Sequence, residues 1–184
     1  MDSHKFPKEL LIPADDGACN HLENFNIPTL SLPNQEGNML KLNRLDTFRI
    51  VLYCYSMTGS PNRPLPINWN KIPGARGCTS ENCSIRDNYD EILTLNAIPI
   101  GITTQSVDDI EEMATRLNIT HDILSDINLE FAKKLSLPTF NIEDRVFLKR
   151  ITLIIEKSII KKFFHPIFSP DKHIYEVIEW LKKN

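Results

Sequence analysis

An α/β sandwich with a mixed central sheet is the fold class this sequence predicts, and three observations predict it. Short β-prone apolar runs alternate with amphipathic helical stretches through the middle of the chain. One run, Ile50-Val51-Leu52-Tyr53-Cys54-Tyr55, is continuously apolar, as expected of a strand buried on both faces. The chain then closes on two adjacent β-prone runs and a helical stripe. Its 184 residues fit one domain, and a hydrophobic content of 41% is enough for a real core.

The elements follow in order. Residues 1–24 have weak periodicity and are expected to form an N-terminal extension to a domain of residues 25–184. After the strand of residues 50–55, a helix is expected over 81–95, because Ile85, Tyr89, Ile92 and Leu93 fall on one face. Pro99 to Thr103 is a second short buried strand. Ser106 caps the next helix, with Asp109 closing the capping box and Ile110, Met113, Ala114 and Leu117 as its stripe. Asp122-Ile123-Leu124 suggests a short strand and Leu129 to Leu135 a short helix. Phe147 to Ile155 and Ile159 to Phe164 predict an antiparallel hairpin turning at Glu156-Lys157-Ser158. The last helix is expected to open with Ser169 as cap and Pro170 in first position, burying Ile174, Val177, Ile178 and Leu181.

Charge narrows the function classes. A net charge of −3 leaves no electrostatic footprint for nucleic acid or for an anionic membrane. No stretch approaches the roughly 18 apolar residues of a membrane span, and the N-terminus lacks a secretory signal's apolar run. A soluble, cytoplasmic protein is expected. In that compartment its four cysteines point to catalysis or free thiols before structural bridges.

Gly77-Cys78-Thr79-Ser80-Glu81-Asn82-Cys83-Ser84-Ile85-Arg86-Asp87 carries the most chemistry. Cys78 follows a stretch too rich in breakers to be helical, so it sits where a helix starts. A thiol there meets unpaired backbone N–H groups and the positive end of the dipole, which favour the nucleophilic thiolate. Its glycine and polar neighbours predict an accessible site rather than a buried one. On an intact helix, residues five apart have Cα atoms roughly 8.7 Å apart and point about 140° away from each other. A disulfide needs Cα atoms within about 7 Å, so joining Cys78 to Cys83 requires the first turns to unwind.

That stretch resembles the peroxidatic motif of the peroxiredoxins, in particular the peroxiredoxin Q (bacterioferritin comigratory protein) branch. The resemblance spans nearly everything after residue 25. Ile27 to Gly37 is similar to the family's N-terminal hairpin, Ile50 to Tyr55 to its first core strand, and Lys149 to Ile155 to the late strand carrying an active-site arginine. It implies a thioredoxin-like fold and a thiol peroxidase. By resemblance Cys78 is the peroxidatic cysteine, Cys83 the resolving one, and Arg150 the residue stabilising thiolate and peroxide. It also implies a hydroperoxide substrate, a Cys78–Cys83 intramolecular disulfide, thioredoxin or glutaredoxin as reductant, and no cofactor. A monomer is expected, with a dimer as the alternative. Two departures stand out. Ala75 occupies the position where the family places a threonine, and Ser56 the position where the strand would end in proline. Residues 57–77, with four Pro and three Gly, look like an inserted loop, across which Thr58 is the candidate to supply the missing hydroxyl.

The other residues weigh less. Arg150 is expected to alternate with Ile151 within a strand, on a covered face that demands an anionic partner. Arg76 could add positive potential, while Glu81 and Arg86 could simply order the helix through charge pairing. Cys54 is read as core packing. Cys19 is read as inert, with a distant alternative role in resolution. Zinc is disfavoured, since Cys-x4-Cys lacks a second closely spaced ligand pair. Two rival functions remain: a thiol–disulfide oxidoreductase, which would normally carry Cys-x-x-Cys, and a non-enzymatic redox sensor.

Overall fold

A computed structural model describes residues 11–44 and 48–184; the first ten residues of the predicted extension lie outside the described residues. The opening hairpin pairs β1 (Ser31–Pro33) with β2 (Met39–Lys41) in antiparallel register. β3 (Arg49–Cys54) follows, and a long loop leads to α1 (Cys78–Asp87) and α2 (Tyr89–Thr94). Next come β4 (Ala97–Thr103), α3 (Val107–Leu117), β5 (Ile123–Ser125) and α4 (Glu130–Lys134). The chain ends with β6 (Thr139–Ile142), β7 (Arg145–Leu148), β8 (Ile151–Glu156), β9 (Ile159–Phe164) and α5 (His173–Lys183). The main sheet has the order β5-β4-β3-β8-β9, with β3, β4 and β5 parallel and β8 and β9 antiparallel. This is the thioredoxin-like α/β fold with a mixed central sheet, flanking helices and an N-terminal hairpin.

The continuous apolar run of β3 is explained by cover on both faces. Val51, Tyr53 and Tyr55 pack with Ile85, Ile92, Ile110 and the α5 stripe. Ile50, Leu52 and Cys54 pack on the other side with Phe131, Leu135, Leu22 and Cys19. The described part of residues 1–24 therefore contributes to the core, and Asn24 N–H donates to Ile160 O at 2.8 Å beside the sheet edge.

Four expectations need correction. The helix predicted over 81–95 begins at Cys78, because Gly77 takes φ 100° and redirects the chain into it. It breaks at Asn88, whose side chain donates to Ser84 O at 2.7 Å and competes with the backbone ladder. The strand predicted over 147–155 is two strands, with Lys149 and Arg150 between them. Phe147 turns away to pair with β6 and pack against Trp69, forming a hairpin that local periodicity does not announce. The last helix opens at His173. Ser169, at φ 59°, offers its carbonyl to the N–H groups of Lys172 and His173 and no side-chain cap.

Candidate active site

β3, β4 and β5 end their parallel run on one edge of the molecule, the edge where open α/β sheets place their functional crevices. Five buried polar residues knit those ends together. Thr103 Oγ1 donates to Ser56 O at 3.0 Å and Ser125 Oγ to Gln105 O at 2.6 Å. The Gln105 carboxamide accepts from Thr58 N–H at 2.8 Å and Thr58 Oγ1 at 3.1 Å, and donates to Thr58 O at 3.2 Å. The chain leaving β3 is thus held rigidly before the inserted loop begins. That loop carries its own small core, in which Trp69, Ala75 and Phe147 pack with Leu65, Ile72 and Phe140.

The loop delivers Cys78 to the first turn of α1, where the backbone N–H groups lack helical partners. Contrary to the expectation of an accessible thiol, Cys78 is only 2% exposed. Two polar side chains are buried against its sulfur. Arg150 Nη2 lies 3.1 Å from Sγ and Ser56 Oγ 3.3 Å from it. Ala75 occupies the motif's threonine position without a hydroxyl, but its carbonyl lies 3.7 Å from Sγ and 3.2 Å from Ser56 Oγ. Ser56 owns one hydroxyl proton. With a thiol it can keep that proton on Ala75 O and accept from the sulfur; with a thiolate the proton turns to the sulfur.

Arg150 is fixed on every side. Nε donates to Glu81 Oε2 at 2.7 Å, Nη1 to Gly74 O at 2.7 Å and Nη2 to Arg76 O at 3.2 Å. Its own carbonyl accepts from His165 Nδ1 at 2.9 Å. Burial pushes the Glu81 carboxyl up, opposed by the guanidinium beside it. Burial also works against the charge on Arg150, but Glu81 and Cys78 together hold it protonated. The arginine leaves the strand pattern because its donors need the loop carbonyls of residues 74 and 76. Glu81 therefore does more than order its helix, whereas Arg86 pairs with Asp87 and reaches Leu117 O.

The remaining predicted residues fall apart from this cluster. Thr58 is buried with its hydroxyl on Gln105, and the hydroxyl facing Cys78 belongs to Ser56. Cys83 is half-buried on the outer side of α1. It lines a cavity of about 280 Å³ with Ser80, Asp87, Asp171 and Tyr175. Burial pushes its thiol up, with Arg86 opposing. Cys54 and Cys19 sit in the opposite core layer; burial pushes Cys54 well up and Cys19 up to about 12. All four cysteines are free thiols. Ser56 and Gln105 escaped sequence reasoning. The one available signal for Ser56 was a polar residue ending an otherwise apolar strand.

Comparison with known proteins bears on the family and the fold. The AhpC/TSA family model matches residues 69–163, a little over half of the chain. A chloroplastic peroxiredoxin Q from Populus jackii is 22% identical over 155 residues, 84% of this chain but 65% of that protein, just under two thirds of its length. Peroxiredoxin Bcp from Escherichia coli is 23% identical over 85% of this chain and 93% of its own. Among solved structures, peroxidoxin BcpB from Mycobacterium tuberculosis superposes with a TM-score of 0.72 at 22% identity, over 88% of this chain and 96% of the other. A peroxiredoxin Q from Xanthomonas campestris gives 0.69 at 14% identity, over 95% and 98%. At these identities the structural likeness speaks for the fold.

Proposed function

The chain belongs to the AhpC/TSA family, and from that premise and the surroundings of Cys78 we propose a thiol peroxidase of the two-cysteine kind. The observation that carries the reading is a buried sulfur at a helix start with Arg150 at 3.1 Å and Ser56 at 3.3 Å. An opposite charge and a hydroxyl donor within hydrogen-bond reach favour the anionic sulfur. The thiolate of Cys78 attacks the terminal oxygen of a hydroperoxide. An S–O bond forms, the O–O bond breaks, and the alkoxide or hydroxide leaves with the electron pair. The same donors, with the free N–H groups of the first turn, stabilise that charge as it develops.

The product is a sulfenic acid on Cys78. Cys83 then attacks that sulfur, closing a disulfide and releasing water. On the outer side of α1 it can do so only after residues 78–83 leave the helix. A thioredoxin- or glutaredoxin-type dithiol returns the disulfide to two thiols by exchange. Two small clefts of about 20 and 10 Å³ meet at Arg150, one lined by Pro73, Gly74 and His165, the other by Arg76 and Phe168. They are the proposed approach for the peroxide. A cavity of about 290 Å³ under the inserted loop does not include Cys78.

The deciding experiment is stopped-flow oxidation of wild type and Cys83→Ser. Wild type should cycle with thioredoxin through a Cys78–Cys83 disulfide. Cys83→Ser should consume about one equivalent of peroxide and stall as the sulfenic acid or a higher oxide. Normal cycling of Cys83→Ser would remove its resolving role. Insulin reduction without peroxide consumption would favour the thiol–disulfide oxidoreductase, and a single turnover without recycling the sensor.

A further inference from the structure

A chain of buried hydrogen bonds ends on the backbone of Cys78 and has no part in the chemistry described so far. Asn82 Nδ2 donates to Cys78 O at 2.9 Å. Tyr53 OH lies 2.9 Å from Asn82 Oδ1, and His121 Nε2 lies 2.7 Å from Tyr53 OH. Asn82 and Tyr53 are fully buried and His121 is 5% exposed.

The direction of every proton is forced. A carbonyl oxygen only accepts, so the amide NH2 of Asn82 must face Cys78 O and its oxygen must face Tyr53. That oxygen takes the single phenolic proton. The Tyr53 oxygen can then only accept, so His121 carries its proton on Nε2. Two observations agree with this assignment. His121 Nδ1 is buried with no hydrogen-bond partner among the described residues, as expected of the bare nitrogen. Burial also lowers the His121 pKa to about 4, keeping the ring neutral. The fold reserves space for the chain as well. Gly101 pairs with Tyr53 in the sheet, and a Cβ there would lie 2.9 Å from the Tyr53 hydroxyl and 2.6 Å from Ile123. Tyr89, at the start of α2, stacks on the far side of the His121 ring, at 6.0 Å and 13° between planes.

We propose that Asn82, Tyr53 and His121 are positioning residues that latch the first turns of α1 and set how fast Cys83 reaches oxidised Cys78. The inference rests on the unwinding step proposed above. Asn82 immediately precedes Cys83, so those turns cannot open without withdrawing its carboxamide. Withdrawal takes from the Tyr53 hydroxyl, fully buried in the folded protein, the acceptor it donates to, and a buried donor without its acceptor is costly. The latch therefore prolongs the life of the sulfenic acid. During that time a second hydroperoxide can add another oxygen, giving the sulfinic acid and releasing the alcohol or water.

The test separates the two steps by single-turnover quench and mass spectrometry in wild type, Asn82→Ala, Tyr53→Phe and the double variant. Oxidation of Cys78 should stay within about twofold, while disulfide closure quickens about tenfold in each single variant. The sulfinic fraction at high peroxide should fall. The double variant should close no faster than the faster single one, since both changes break one chain. A merely structural role would slow both steps instead. Equal closure rates in wild type and variants, with the Cys78–Cys83 bridge present, overturn the latch and leave the peroxidase reading standing. No such bridge in wild type overturns both. Should Asn82→Ala fail to fold, Tyr53→Phe keeps the ring in place and decides alone.

Discussion

Cys54 and Cys78 are both sealed from solvent, at 0% and 2% exposure, yet the fold treats them in opposite ways. Cys54 ends β3 among Leu52, Ile100 and Ile102, and burial, reinforced by the carboxylates of Asp126 and Glu81, pushes its thiol well up. Cys78 lies across the sheet with a guanidinium and a hydroxyl aimed at its sulfur. What differs is the company: no hydrogen-bond donor is aimed at the Cys54 sulfur among the described residues, and two are aimed at that of Cys78. The cost of placing Arg150 beside Cys78 is spread over four acceptors: the Glu81 carboxylate, the carbonyls of Gly74 and Arg76, and the sulfur itself. An isolated buried arginine would cost several kcal/mol.

The comparison breaks first at the cysteines themselves. Cys78→Ser should lower peroxide turnover by about a thousandfold or more, since a serine hydroxyl is not ionised near neutral pH. Cys54→Ala should leave thioredoxin-coupled peroxide consumption within about twofold. Loss of turnover in a folded Cys54→Ala protein would end the contrast. Next in size is Arg150→Met, expected to slow Cys78 oxidation about a hundredfold. It should also cost about 3 kcal/mol of stability, because it strands Glu81 as an unpaired buried charge. Adding Glu81→Gln should restore the denaturation midpoint but not the rate, which separates the arginine's catalytic part from its structural one.

Ser56→Ala should slow oxidation about tenfold, the worth of one hydrogen bond to a charged group. Thr58→Ala should cost less in the same stopped-flow trace, because its hydroxyl reaches Gln105 and not the sulfur. A separate effect, on stability and not on rate, concerns acid. His173 lies buried against Thr152 and Phe164, and burial with the nearby Arg150 charge lowers its pKa from 6.5 to about 4. A neutral histidine in the fold and a protonated one in the unfolded chain means stability present above pH 6.5 and lost as pH falls towards 4. Between pH 7 and 5, wild type should lose about 2 kcal/mol more than His173→Gln in urea denaturation. Parallel losses would remove His173 from the balance.

Local pattern carried much of this molecule. The α3 stripe and its Ser106 cap stand as the sequence implies, with Asp109 N–H donating to Ser106 Oγ at 3.2 Å, although the Asp109 carboxylate pairs with Arg63 and does not close the box. The buried strand of residues 50–55 and the placing of Cys78 at a helix start were equally legible. What escaped depends on contacts far apart along the chain. Ser56 meets Cys78 across 22 residues, and Gln105 meets Thr58 across 47. Periodicity states which face of an element is apolar, but not which polar side chain turns inward to meet another element. The same limit hid the β6–β7 hairpin, whose Phe140 and Phe147 find their partner Trp69 only across the inserted loop.

Trp69 gives that loop an optical identity. It is one of two tryptophans, 2% exposed, edge-on to Phe147 at 5.1 Å and tilted against Phe140 at 5.7 Å. The other, Trp180, is half-buried on α5. With Trp180→Phe, the remaining emission belongs to the segment that leads into Gly74 and Ala75, whose carbonyls hold Arg150 and Ser56. An indole packed in this way emits at shorter wavelength than one in water, and a red shift on adding peroxide would be the light of that segment lifting from the hairpin. The protein carries its own lamp beside the thiol, and no dye need be attached to watch the site work.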